Sequence, residues 1–512
     1  MTSNLLHMDQ NPTGLSKEFS GLAPFAVIDV GSNSVRLVVF EGLVSNALPI
    51  FNERNLCALG KGIGEDNCMR QKAMDHALRS IERFVHLSAE MGAGIPKIIA
   101  TAAVRNAANG HILTEQVFDR TGVTVDVVSG REEARLSSLG VMASIPDADG
   151  FMGDLGGGSL ELVDLKNGQA GQGTTLPLGA LLLNNRFPDS GAKVKKFIDQ
   201  ELAKVEWLDG LKGRGFYAVG GNWRALAKLH QAQSKYPLRI VHHYRVETRE
   251  AQELSKIISR LSADSIDRLK GVSSRRRDSL ATSSLVLSRI LKLGQPSHIV
   301  FSGGGLREGV LNDHLSEIER RRDPLIEMSI RLGGRETRYD GLGFELEKWM
   351  RGLFAGETKS EARIRTAASL LSDTAWRTHP DYRAEAAYKR VLYAPLSGIN
   401  HKERAMISLA VFVRYAGDVS SEATNIARKL VTEDEYDWVR KLGLAMRLGH
   451  TLSGGTPGVL SRSELAQDKG PITLSLTSND ANFLGPSVDK RLKALGNALD
   501  REWKVVIDGQ GA

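Results

Sequence analysis

The chain has 512 residues, room for about three ordinary domains, and its 41% hydrophobic and 25% charged content is that of a globular protein able to build a core. Two cysteines, Cys57 and Cys68, are too few for a disulfide framework or a CxxC metal site, and no run of 18 apolar residues occurs, so neither a disulfide scaffold nor a membrane-spanning helix is expected. A formal charge of +7 and a pI near 9.2 favour an anionic partner over a cationic one.

Residues 1–24 are polar, carry no apolar signal-like run, and are expected to form a disordered lead, so a cytoplasmic location is expected. The apolar run Phe25 to Val30 then ends in Gly31, Ser32, Asn33 and Ser34, and Val35, Leu37, Val38, Val39 and Phe40 resume it. This spacing predicts strand, small-residue turn, strand, with Asp29 just ahead of the glycine. From Gln71 to Met91 apolar residues fall at helical spacing, with Gly92 at the cap position. Lys97 to Val104 reads as a strand closing on Thr101 to Asn106, followed by a helix through Val117. Val123 to Val128 alternates as a strand, Ser129 and Gly130 break it, and Arg131 to Ile145 reads as a helix. Pro146, Asp147, Asp149 and Gly150 mark a linker, which sets a first domain at 25–147.

The second domain, 148–318, opens on Phe151 and Met152 and repeats the plan in Gly153, Asp154, Leu155, Gly156, Gly157, Gly158, Ser159, Leu160 and Glu161. Glycines without side chains let several N–H groups point into one concavity, which suits a phosphate, while Asp154 and Glu161 supply carboxylates that suit Mg²⁺. A glycine-rich hairpin with two surface acids is the competing reading, and the repetition of the plan weighs against it. Helices are expected at Lys193 to Leu208, Thr248 to Leu261 and Asp278 to Leu293. Strands Gly215 to Val219 and His298 to Phe301 run into Gly220–Gly221–Asn222 and Gly303–Gly304–Gly305, and such turns at strand ends are where open α/β sheets hold ligands. Beyond 319 the glycine turns thin out. Helical spacing from Leu342 to Arg447, with strands near Ile472 to Leu476 and Trp503 to Ile507, marks a third, helical domain at 319–512.

Two α/β halves that each open with an Asp-containing hairpin resemble the ribonuclease H-like superfamily of actin, sugar kinases and chaperone ATPases. Within it, I-D-V-G-S-N-S-V-R-L at 28–37, T-A-A-V-R-N-A at 101–107, S-G-R-E-E-A-R-L at 129–136 and G-D-L-G-G-G-S-L-E-L at 153–162 resemble the exopolyphosphatase and guanosine pentaphosphate phosphatase family. V-F-S-G-G-G-L-R-E-G-V-L at 300–311 is similar to its late glycine motif, and the match covers roughly the first 315 residues. The helical third is similar to the extra domain of the family's long members, which resembles HD phosphohydrolases. Here Ser372 precedes Asp373 where an HD pair would stand, and although His379 and His401 are nearby, loss of that imidazole makes a second metal site unexpected. The domain is expected to bind substrate or to build a homodimer interface.

The resemblance implies Mg²⁺-dependent hydrolysis of a terminal phosphoanhydride, which needs charge neutralisation, an aligned water and a base. It places the base at Glu133. Because Glu132 and Glu133 lie about 100° apart around a helix, only one can face a given cleft. It places phosphate contacts at Gly31, Ser32, Asn33, Ser34, Arg105, Gly156, Gly157, Gly158 and Ser159, and the metal at Asp29, Asp154 and Glu161, with Glu161 alternatively orienting the water. Asn222 departs from the small residues usual at its position. Basic clusters at Lys193, Lys195 and Lys196, Arg275 to Arg277, and Arg320 to Arg322 read first as solvated faces and second as contacts for a long polyanion. Inorganic polyphosphate is the leading substrate and guanosine pentaphosphate or tetraphosphate the alternative. A sugar-kinase-like phosphotransferase and a non-catalytic polyphosphate sensor are the readings of other classes, and neither a membrane nor a specific nucleic acid is expected as partner.

Overall fold

Phe25–Val30 (β1) and Ser34–Phe40 (β2) pair antiparallel in a register that sets Asp29 opposite Arg36 and Val30 opposite Val35. Val27 and Val38 are buried on one face of this hairpin, Ile28 and Leu37 on the other, so it forms the middle of a covered sheet and reads as continuous apolar runs. A computed structural model describes residues 22–62, 67–188, 191–269, 276–417, 422–467 and 470–508, so all but the last three residues of the expected disordered lead lie outside the described residues. Pro49–Leu56 (β3) adds antiparallel to β2. Lys97–Ala100 (β4) and Val125–Val127 (β5) complete the sheet in the order β3-β2-β1-β4-β5, with β1, β4 and β5 parallel. Gln71–Glu90 (α1) covers one face through Met74, Ala77, Leu78, Ile81 and Phe84.

The first expectation to change lies after β4. The strand ends at Ala100, and Ala102–Asn106 forms a short helix (α2) behind Thr101, ahead of Gly110–Thr121 (α3). Small residues that could extend a strand here instead turn the chain back toward β1. Gly130–Ser144 (α4) follows β5, its first turn capped by Ser129, whose hydroxyl accepts from the Glu132 amide at 3.1 Å.

The second half repeats the first. Gly150–Leu155 (β6), Leu160–Lys166 (β7), Gln169–Leu176 (β8), Gly215–Val219 (β9) and His298–Phe301 (β11) take the order β8-β7-β6-β9-β11, and Tyr244–Glu247 (β10) adds antiparallel at the far edge. The helices of this half include Ala180–Arg186 (α5), Gly191–Leu202 (α6), Gly221–Gln233 (α7), Thr248–Ile258 (α8), Arg277–Gly294 (α9) and Leu306–Asp313 (α10). Two sheets of one order, each opening on a hairpin, give a mixed α/β, actin-like architecture. Helices α4 and α10 meet at backbone distance: a Cβ on Gly140 would strike the carbonyl of Gly305, and one on Gly309 that of Leu136. That contact ties the helix carrying Glu133 to the helix carrying Arg307.

Leu22–Arg322 forms one unit, and a second begins at Asp323. The second is helical over much of Pro324–Ser453, with Thr358, Asn400 and Thr432 each closing a capping box with a glutamate three residues on. Its sheet has three strands, Ser463–Gln467 (β12), Ile472–Thr477 (β13) and Trp503–Asp508 (β14).

Candidate active site

The two hairpin turns touch. A Cβ on Gly157 would come within 2.9 Å of the Ser32 Cβ, and one on Gly158 within 2.9 Å of the Ala102 Cβ. None of Gly156 to Gly158 has a positive φ, so close approach is what requires glycine at 157 and 158. Both turns are held from behind by their carbonyls. Gly60 N–H donates to Ser32 O at 2.7 Å, and Cys57 and Ala58 donate to Asn33 O; the first amides of α5, Ala180 to Leu182, donate to Gly156 O and Gly157 O. The N–H and C=O of one planar peptide point in opposite directions, so the amides of Asn33, Ser34, Gly157 and Gly158 face away from those partners. All four residues line one cavity of about 210 Å³. The Gly31 and Gly156 amides, expected as phosphate donors, are engaged differently: each closes its own turn onto the carbonyl of Ser34 or Ser159 at 3.0 Å.

The same register that sets Asp29 opposite Arg36 sets Asp154 opposite Glu161. One half therefore faces its aspartate with a cation and the other with a second acid. Glu161 is buried, and its Oε1 has no hydrogen-bond partner among the described residues. Burial, with Glu133 and Asp154 close by, raises its carboxyl well above the ordinary range. Burial also raises Asp154, opposed by the Ser137 hydroxyl, which donates to Asp154 Oδ2 at 2.7 Å. Asp29 lines the same cavity and accepts from Arg307 Nη1 at 2.6 Å. Among the described residues no three acidic, histidine or cysteine side chains sit close enough to share an ion. Of the expected set, Asp154 and Glu161 face each other across the strand pair, and Asp29 lines the same cavity paired with Arg307.

Glu133 lies in the first turn of α4, 8% exposed, and lines the cavity, while Glu132 points outward to Arg135 at 2.7 Å. Burial is the main cause that pushes the Glu133 carboxyl up to about 7; Arg105 opposes the shift, and Asp154 and Asp29 add to it. Arg105, expected as a phosphate contact, pairs with Glu133. Its Nη1 donates to Glu133 Oε2 and to Val128 O, both at 2.8 Å, and it stands outside the cavity lining.

Five other arginines line the cavity: Arg36, Arg54, Arg224, Arg276 and Arg307. Burial, then Arg307 and Arg224, depress Arg36 to about 10, and burial, then Arg224 and Arg54, depress Arg276 to about 10. Such a basic wall attracts an anion. Sequence reasoning missed it, because β2, β3, α7, residue 276 and α10 each contribute one residue; Arg276 had been read as part of a solvated cluster, and its neighbour Arg275 lies outside the described residues. Asn222 donates to the Ser279 and Ser283 hydroxyls at 3.0 and 2.7 Å, a bond that anchors α7 to α9.

With that geometry in view, the sequence signature of the Ppx/GppA phosphatase family matches residues 23–318, more than half of the chain. This chain belongs to the Ppx/GppA phosphatase family. Members of the family are phosphoanhydride hydrolases that generally need a divalent metal. Residues 345–506 match the exopolyphosphatase C-terminal family. Similar proteins include exopolyphosphatase 1 of Mycobacterium leprae, 27% identical over 60% of this chain and 93% of that protein. Retrograde regulation protein 2 of Saccharomyces cerevisiae is 25% identical over 79% of this chain and 74% of that protein. The guanosine-5'-triphosphate,3'-diphosphate pyrophosphatase of Vibrio vulnificus is 25% identical over 62% and 63%. The fold matches the crystal structure of an exopolyphosphatase from Cytophaga hutchinsonii, with a TM-score of 0.52 and 22% identity over 57% of this chain and 99% of that one.

The residues present in this Ppx/GppA phosphatase fit a divalent cation. Two carboxylates face each other across a strand pair, one with an orphaned buried oxygen, and a cation relieves the repulsion that otherwise holds a proton there. Among its described residues, the second unit shows no cluster of acidic, histidine or cysteine side chains close enough to share an ion. Asp373, 2% exposed, accepts from Arg338 at 2.8 Å and Arg414 at 3.1 Å, so two guanidinium groups engage the carboxylate of the Ser372–Asp373 pair. His450 bridges Arg414 and the Ser372 hydroxyl, at 2.8 and 2.9 Å, and burial holds its imidazole neutral, well below the usual range. Of the nearby imidazoles, His379 is exposed and His401 is buried.

Proposed function

We propose that this chain is an exopolyphosphatase that hydrolyses the terminal orthophosphate of inorganic polyphosphate. The observation that carries the reading is the cavity lining: five arginines and, among the described residues, no aromatic ring on which a nucleobase could stack. The amides of Asn33, Ser34, Gly157 and Gly158 hold the oxygens of the terminal phosphoryl group, joined by the hydroxyl-bearing Ser32 and Ser159. Glu133, tuned toward neutrality, takes a proton from water as that oxygen attacks phosphorus. The bridging P–O bond breaks and its electron pair stays on the leaving chain, whose charge the arginine wall offsets. Asp154 and Glu161 would hold Mg²⁺, a cation suited to one or two carboxylates with waters, and when bound it supplies charge neutralisation at the transferring group. Glu161 would alternatively orient the attacking water.

In this reading 25–147 and 148–318 are the two catalytic halves. The helical part, 319–512, is a degenerate HD-like domain that serves substrate binding or homodimer formation, and the enzyme works in the cytoplasm. The test is orthophosphate release with Mg²⁺ and no nucleotide. Release from long polyphosphate in preference to guanosine pentaphosphate is expected. Activity on the nucleotide alone moves the assignment to a guanosine pentaphosphate phosphohydrolase, and a requirement for ATP with a sugar acceptor moves it to a phosphotransferase.

A further inference from the structure

We propose that Arg105 is a positioning residue that holds the Glu133 carboxylate in its reactive orientation, and that it is not a ligand of the substrate. One Arg105 nitrogen, Nη1, bridges Glu133 Oε2 and the Val128 carbonyl. Val128 ends the segment that launches α4, so the arginine ties the carboxylate to the backbone from which its own helix starts. Glu133 lines the cavity; Arg105 sits behind it, its side chain 19% exposed, while five other guanidinium groups face the space where phosphate would bind.

Helix α2 makes this a ruler. Its first residue, Ala102, lies against the second phosphate turn at Gly158, and its fourth residue is Arg105. Five residues of helix thus set the distance between the group that holds phosphorus and the group that activates water. A glutamate has three rotatable side-chain bonds, and the one directed bond to Arg105 removes that freedom at a buried site where Asp29, Asp154 and Glu161 all repel the carboxylate. Freed from Arg105, the carboxylate would swing away from those three acids and from the water, and misplacement of about 1 Å costs about 10²-fold in rate.

The inference rests on Glu133 being the base. Steady-state kinetics on tripolyphosphate with Mg²⁺ should show Arg105→Met lowering kcat by about 10²-fold with KM within about threefold, and Arg105→Lys recovering part of the loss. In a Glu133→Gln background, Arg105→Met should cost nothing further, because it acts through a group already removed. A tenfold rise in KM with kcat retained, or an equal loss in both backgrounds, overturns the proposal and makes Arg105 a phosphate ligand. Should Arg105→Met melt below the assay temperature, the same comparison is read from Arg105→Lys, alone and with Glu133→Gln. A wild-type enzyme that releases no phosphate, or a Glu133→Gln variant as fast as wild type, defeats the functional reading itself rather than the role of Arg105.

Discussion

Replacing Gly179 by alanine tests whether the second turn must sit where it does. Gly179 has φ −61° and ψ 139°, a conformation open to any residue, so the backbone itself resists nothing. The added Cβ, however, would lie 2.2 Å from the Gly158 carbonyl carbon, 2.3 Å from the Ser159 nitrogen and 2.4 Å from the Gly157 oxygen. Even a tight carbon contact needs roughly 3.2 Å, and every atom struck is backbone, so the turn or α5 must retreat by about 1 Å. Because α5 holds the turn by its carbonyls, the amides of Gly157 and Gly158 move with it. Misplacement on that scale should lower kcat by about 10²-fold, equivalent to about 2.7 kcal/mol of transition-state stabilisation. Overpacking should also cost about 1–3 kcal/mol of stability. Orthophosphate release is measured below the variant's melting temperature, with Gly191→Ala, which meets nothing within 4 Å, as the control. A folded Gly179→Ala enzyme with kcat within about threefold of wild type would refute the reasoning.

Glu133→Gln should lower kcat by about 10² or more while raising the melting temperature at alkaline pH. The carboxyl keeps its proton up to about 7 in the fold, against 4.5 for an unperturbed group, so the folded state binds more protons across that window and stability falls as pH rises through it. The melting gap between variant and wild type therefore widens from pH 5 to pH 8, and wild-type kcat/KM falls as pH drops below about 7. Mg²⁺ should raise the wild-type melting temperature and leave Glu161→Gln unmoved, with the metal-free variant melting above metal-free wild type because one buried repulsion is gone. Asp373→Asn, which strips the counter-charge from Arg338 and from buried Arg414, should cost about 3–5 kcal/mol in urea unfolding.

Both hairpins were legible in the sequence, since alternating apolar residues and a small-residue turn are local signals, and β9, β11 and α4 fell where the periodicity put them. The edge strands β3, β8 and β10 were not, whereas β5 and β14 were. β3, with Asn52, Glu53, Arg54 and Asn55, carries almost no apolar alternation because neither face is fully buried. The division of acids around the cavity was readable in part: Asp154 and Glu161 share a hairpin, and their register follows from its turn. Nothing in the spacing shows that Asp29 is taken by Arg307, 278 residues away, or that Arg105 spends its charge on Glu133. The same limit hid the fate of Asp373, whose partners arrive from residues 338 and 414. Which arginine meets which carboxylate is decided by tertiary packing, and one-dimensional pattern does not encode it.

The unequal partners of the two aspartates give the cavity a polarity. In the proposed exopolyphosphatase, Arg36 and its companions would draw in a run of phosphates, and Asp154, Glu161 and Glu133, which line the same cavity, would repel further negative charge. On the proposed reading, the tip of a linear polyanion rather than an interior linkage would be offered to Glu133. Swapping Arg36 for an acid would erase that one-way character before it touched the chemistry.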